Sequence, residues 1–186
     1  PDLIKEKGID NNLVLTTYRC KNCFRYHVKP FTGQNIKCDF CEHPNSSETA
    51  NIKNGIDEKQ LNEIYNLMDV YCHPFTSGGQ EIPIQEAKLT ELITLVTNYS
   101  CGEESCEKGS GSLPLLWNKY IEHGTEFIKA STCPVSIADQ LDVFINLSKQ
   151  ERAKLEKIAR SWSLDNFSVK RVGKFFEKFI DSAPKI

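Results

Sequence analysis

The sequence predicts an α/β fold: a parallel sheet with helices on both faces, interrupted by a small cysteine-rich insertion. Three observations point there. From residue 57 onward, strand-like and helix-like segments alternate, the order that builds a parallel sheet. The stretch ITLVTNY at 93–99 is almost wholly apolar, as a strand covered on both faces must be. Residues 19 to 55 break the pattern with two C-x-x-C pairs and little helical period.

Taken in order, LIKEKGI (3–9) reads as the end of a helix stopped by Gly8, and NLVLTTY (12–18) as a short β-branched strand. After the cysteine-rich stretch, DEKQLNEIYNLMDV sets Leu61, Ile64, Tyr65 and Met68 at helical spacing, with Asp57 placed to cap the first amides. DVYCHPF (69–75) is the next strand, a helix runs from about Pro83 to Leu92, and ITLVTNY follows. Residues 100 to 113, rich in Gly, Ser and Glu, read as a loop, and GTEFIKA (124–130) as a further strand. SIADQLDVFINL (136–147) gathers Ile137, Leu141, Phe144 and Ile145 on one side. Ser148 and Glu151 form a capping box for KQERAKLEKIARSW. The last helix, about 166–181, has Val172, Phe175, Phe176, Phe179 and Ile180 as its apolar side.

A net charge of -2 and a pI near 6.1 provide no general basic field, which weighs against a nucleic-acid binder needing many phosphate contacts. No apolar run approaches the length of a membrane span and no signal-peptide pattern opens the chain. A cytoplasmic, reducing location is therefore expected. Beginning at Pro1 inside a helix-like segment, the chain reads as a piece of something longer.

Cys20 and Cys23 in YRCKNC, and Cys38 and Cys41 in IKCDFC, are two C-x-x-C pairs fourteen residues apart. Each pair bends the backbone so that two thiolates face one point, and two such knuckles make a tetrahedral site that suits zinc. Four thiolates leave no open position for water or substrate, so the zinc is expected to be structural, stapling a four-cysteine, zinc-ribbon-like lobe over 19–54. His27 and His43 are spare ligands that four thiols do not need. Lys21, Arg25, Lys29 and Lys37, with Phe24, Tyr26 and Phe31, lend the lobe a basic and aromatic character. A nucleic-acid-reading ribbon would use it; the preferred reading is that these aromatics cover the metal and dock the lobe.

TSGGQEIPIQE (76–86) leaves a strand, loosens into Ser-Gly-Gly and starts a helix carrying a carboxylate. Glycines let a backbone approach a ligand closely. The helix opened by Pro83 presents its first amides and the positive end of its dipole, where a diphosphate or a polar sugar fits. Glu86, about one turn in, can accept hydrogen bonds from two vicinal hydroxyls, as on a ribose. A plain turn, with Glu81 and Glu86 merely favouring the helix dipole, accounts for the same residues.

LNEIYNLMDVYCHPF, then SGGQEIPIQEA, then LITLVTNYS together resemble the donor-binding domain of the GT-B glycosyltransferases of retaining, group-one type. In that family a D-V strand leads into E-G-F-G-x-P-x-x-E-A, and Pro83, Glu86 and Ala87 fall in register with it. The resemblance covers most of 56–181, including Trp162-Ser163 near the last helix, and the segment 3–18. It implies a Rossmann-like domain, half of a GT-B fold, made of 1–18 and 55–186, with the zinc lobe inserted. It implies a nucleoside diphosphate sugar as donor substrate, held by Ser77, Gly78, Gly79, Gln80, Glu81 and Ile82, with Glu86 on the ribose. The intact enzyme would transfer a hexosyl group to a glycan or other acceptor.

The family's first motif glutamate falls on Gly78, leaving Glu81 as the candidate catalytic carboxylate. The family's upstream Arg and Lys, which neutralise the diphosphate, and its amino-terminal acceptor domain have no counterpart here. The fragment alone is thus expected to be inactive and to work with the amino-terminal domain of its parent, and a homodimer is one way to cover an exposed sheet edge. The competing reading is a non-catalytic binding module with a degenerate donor site and a zinc lobe that binds protein or nucleic acid. Of the remaining residues, His73 reads as packed or solvated, Cys72 and Cys133 as core, Glu103 and Glu104 as near the strand end that faces the donor in that fold but not in contact with it, and Cys101 and Cys106 as a thiol pair too weakly spaced to imply a second metal.

Overall fold

The computed structural model describes residues 2–184. The fold is mixed α/β and divides into two compact units, Pro1–Ile64 and Tyr65–Ile186.

In the first unit, helix α1 (Asp2–Glu6) stops at Gly8, which takes the left-handed φ of 65° that ends helices at little steric cost. The strand expected over 12–18 is displaced. The Asp10 carboxylate accepts the Asn12 amide at 2.9 Å and holds Asn11–Leu13 in a 3-10 turn. Strand β1 (Leu15–Cys20) starts only after it.

The partners of β1 also differ from expectation. It pairs antiparallel with β2 (Tyr26–Pro30) and β3 (Ser47–Thr49), both from the cysteine lobe, in the order β2-β1-β3. The segment is therefore a strand of the lobe's sheet and not of the parallel sheet. The period of two turns Tyr18 and Cys20 to one side, and both are fully buried. The Tyr18 hydroxyl donates to Gly33 O at 2.9 Å and accepts from the Thr32 amide at 3.0 Å, closing the loop that carries the second cysteine pair. Helix α2 (Glu58–Tyr65) opens on a reciprocal cap, the Gln60 amide donating to Asp57 Oδ1 at 2.8 Å and the Asp57 amide to Gln60 Oε1 at 3.3 Å.

The second unit is built on three parallel strands, β4 (Val70–His73), β5 (Ile93–Thr97) and β6 (Ser112–Leu115), in the order β4-β5-β6. Every residue of the central β5 is buried. Helix α3 (Ile82–Leu89) connects β4 to β5 and packs on β5, and α5 (Pro134–Asn146) packs on β6. Helix α6 (Lys149–Phe167) packs on both α3 and β5. Its capping box forms as expected, with the Ser148 amide donating to Glu151 Oε2 at 2.9 Å and the Glu151 amide to Ser148 Oγ at 3.3 Å.

Two stretches depart from the sequence reading. Residues 100 to 113 are not a plain loop: they hold the one-turn helix α4 (Gly102–Ser105) and the start of β6. Pro114 within β6 is tolerated because the strand lies at the end of the sheet order, where one row of amides has no ladder partner. The strand expected at 124–130 is β8 (Ile128–Thr132), paired antiparallel with β7 (Trp117–Ile121). Its start is delayed by a turn in which Gly124 and Glu126 take φ of 94° and 58°. The chain ends in α7 (Val169–Asp181).

Candidate metal centre and loop site

The four cysteine Sγ atoms lie within 4.8 Å of one another. Cys20 and Cys41 are 3.7 Å apart, as are Cys23 and Cys38. A tetrahedron with metal–sulfur bonds of ~2.3 Å has sulfur–sulfur edges of about 3.8 Å, so the cluster has the size of a four-coordinate thiolate site. Local backbone explains how. In each knuckle the residues after the first cysteine turn their amides back on its sulfur: Asn22 and Cys23 N–H on Cys20 Sγ at 3.3 and 3.4 Å, and Phe40 N–H on Cys38 Sγ at 3.4 Å.

These contacts favour thiolates. Burial works against ionisation of Cys20, but the Ser46 hydroxyl and the Cys23 and Asn22 amides bring it down to about 5. The Asn22 side-chain amide, with the His43 backbone amide, lowers Cys41. Cys23 is eased by the Arg25 backbone, but burial and the three neighbouring sulfurs push it up to about 11. Four sulfurs this close cannot all ionise alone; a divalent cation at their centre removes the conflict.

Neither histidine belongs to the cluster. His27 Nδ1 is 2.6 Å from Asp39 Oδ2, and His43 Nδ1 is 3.0 Å from Pro44 O. Cys101 and Cys106 join no second metal-sized cluster among the described residues. The lobe's lysines are largely spoken for, Lys21 by Glu48, Lys29 by Asp39 and Lys37 by Glu42. Phe31 stacks on Tyr18, whereas Phe24 stays exposed beside Arg19.

The loop at 76–81 leaves the carboxyl end of β4, the end at which open parallel sheets bind ligands. It is tied down at three points. The Phe75 amide donates to Thr97 Oγ1 at 3.1 Å, the Ala130 amide to Thr76 O at 2.8 Å, and the Ser100 hydroxyl to Gly78 O at 2.8 Å. Ser77, Gly79 and Gln80 are exposed, as is Ile82 at the start of α3, and Gly78 is half-buried.

Glu81 precedes α3 but does not cap it with its side chain. Its carboxylate turns back: Oε2 lies 3.0 Å from His73 Nε2, and His73 Nδ1 lies 3.2 Å from the Tyr71 hydroxyl. A proton on Nε2 satisfies both contacts. The same carboxylate fills the space beside Gly78, where an added Cβ would meet Glu81 Oε1 at 2.1 Å. Glu86 is held separately, its Oε2 accepting from the Tyr65 hydroxyl at 3.0 Å. Burial pushes the phenols of Tyr65 and Tyr71 up, with Glu86 adding to both, so both remain donors.

Tyr65, Tyr71, His73 and Phe75 form one aromatic row, with ring centroids 5.7, 5.6 and 5.4 Å apart in turn. The alternation of Tyr71 and His73 along β4, continued by Phe75 just past its end, is the readable signal for that row. The place of Tyr65 in it is not readable from spacing. Cys101 also borders the site: burial, then the charge of Glu81, pushes its thiol up. No family model, no curated protein and no solved structure matches the chain.

Proposed function

We propose that the second unit is the donor half of a GT-B type glycosyltransferase, binding a nucleoside diphosphate sugar at the loop after β4, and that the four cysteines hold a structural zinc. The observation that carries this reading is the position of Glu81. The motif glutamate that the resemblance calls for is replaced by Gly78, yet a carboxylate occupies the space next to Gly78, supplied from three residues later.

In this reading Glu86 accepts the ribose hydroxyls, and the Tyr65 hydroxyl fixes the orientation of that carboxylate. The amides from Gly79 to Ile82, ahead of α3, receive the diphosphate. Glu81, oriented by His73 and through it by Tyr71, sits where positive charge develops at the anomeric carbon as its bond to the diphosphate oxygen breaks and the acceptor oxygen bonds to it. A carboxylate with a fixed neighbour and a fixed orientation suits such electrostatic work, because little reorganisation is needed at the moment of reaction. The chain's other contribution is positioning.

The test is a titration of the zinc-loaded chain with UDP, GDP, ADP and their sugars, followed by amide NMR shifts. One nucleotide should perturb residues 77–87, Glu86→Ala should remove the effect, and Glu81→Gln should alter the response to the sugar more than to the bare nucleotide. A folded, metal-loaded chain that responds to none of them at millimolar concentration leaves two readings, a non-catalytic binding module or a donor half whose affinity rests on the upstream Arg and Lys, and a parent chain lacking that Arg and Lys decides for the module.

A further inference from the structure

Helix α7 has two unlike faces. Val172, Phe175, Phe176, Phe179 and Ile180 recur at intervals of three and one, which puts them on a single stripe. None is buried: Phe175 is 68%, Phe179 66% and Ile180 67% exposed. The other side carries Lys170, Arg171, Lys174 and Lys178, with Glu177 and Asp181 as its only carboxylates. The neighbour of this helix in the fold is α6, which leaves the aromatic stripe uncovered.

We propose that α7 docks the chain on an anionic lipid surface, lying in the interface with its phenylalanines in the acyl boundary and its cations among the headgroups. Two features choose this occupant. The first is charge. The helix that bears the exposed apolar stripe holds four cations against two carboxylates, so it is positive although the chain as a whole has a net charge of -2. A second copy packed stripe to stripe would leave the cations of the other side without a partner, whereas an anionic bilayer supplies both an apolar boundary for the stripe and negative headgroups for the cations. The second is shape. The stripe is a continuous convex row of large side chains, and a fluid acyl boundary accepts it without a matching groove. The helix is too short and too charged to cross a bilayer, and no helix among the described residues is long and apolar enough to do so. The stripe has this role whether or not the loop after β4 binds a donor.

Flotation of the zinc-loaded chain with vesicles of phosphatidylglycerol, against vesicles of phosphatidylcholine, tests it. The chain should float with the anionic vesicles and stay behind with the neutral ones. Lys174→Gln with Lys178→Gln, which leaves the apolar stripe intact, should weaken partitioning about 25-fold, at about fivefold per cation. Phe175→Ser with Phe179→Ser, at exposed positions that the core does not need, should abolish it while circular dichroism stays unchanged. The proposal is overturned if both vesicle types are bound equally, if neither is bound, or if the phenylalanine variant floats like the parent. A concentration-dependent dimer that the phenylalanine variant dissolves, with no flotation, would overturn it too and assign the stripe to a second copy.

Discussion

Lys88 is fully buried and has no carboxylate partner among the described residues. Its ammonium donates to Ser105 O at 3.0 Å and Ser110 O at 2.8 Å, and lies 4.0 Å from the centre of the Trp162 ring. Burial pushes it down to about 7, against a weaker pull upward from Cys106. The unfolded chain therefore binds a proton that the folded chain has given up from about pH 7 to the ordinary lysine value of 10.5. By linkage, stability should rise with pH above 7. The range from about 7 to about 8 isolates the effect, because above it the unfolded chain begins to ionise Cys106 at its ordinary value of 9.0 while burial holds that thiol up at about 11 in the folded chain, which works in the opposite direction. Urea midpoints measured across that range should climb for the parent and stay flatter for Lys88→Met; equal slopes would remove Lys88 as the cause. Nothing in the sequence singles out Lys88, which stands in a helix among ordinary surface types. What makes it unusual is the loop carbonyls and the indole that tertiary packing brings to it. Glu81 is a similar case: its place near the loop is readable, its partner His73 is not.

Elements capped by their own sequence are legible, and elements made by pairing are not. The capping box at Ser148 and Glu151 appears where the sequence places it, since both partners lie within one turn. Strand β6 escapes a sequence reading because SLPL is short and contains a proline; it becomes a strand through its register with β5, Thr94 opposite Ser112. One glycine makes that register compatible with the helix beside it. Gly111, at φ of 75°, sits so close to α6 that an added Cβ would meet Ala159 atoms at 2.6 Å, its backbone N among them. Gly111→Ala should therefore destabilise the chain by more than ~2 kcal/mol, through backbone strain and overpacking together. Gly78→Ala should cost less, about 1 kcal/mol, because the atom it meets is the end of a side chain that can swing aside at the loss of its contact with His73. Chemical denaturation of both variants checks the contrast, and a Gly111→Ala chain as stable as the parent would refute the close approach.

At the scale of the molecule, the first unit is small and three-stranded, and its buried core includes the sulfurs of Cys20 and Cys38. A lobe of that size would depend on a metal held by the four cysteines, whereas the second unit has a central strand buried at every position. Removing the metal with a chelator should therefore erase amide protection at Tyr18, Cys20 and Ser47 while leaving it at Leu95 and Val96. Hydrogen exchange measures both at once, and simultaneous loss would show that the two units unfold as one. The cysteine spacing, the helix caps and the uncharged, mostly apolar β5 were determined by the sequence alone, because each rests on residues close together in the chain or on a local period. The sheet to which β1 belongs, the third parallel strand, the carboxylate beside Gly78 and the burial of Lys88 were decided only by the tertiary structure. Each depends on which distant segments share hydrogen bonds or volume, and no local period carries that information.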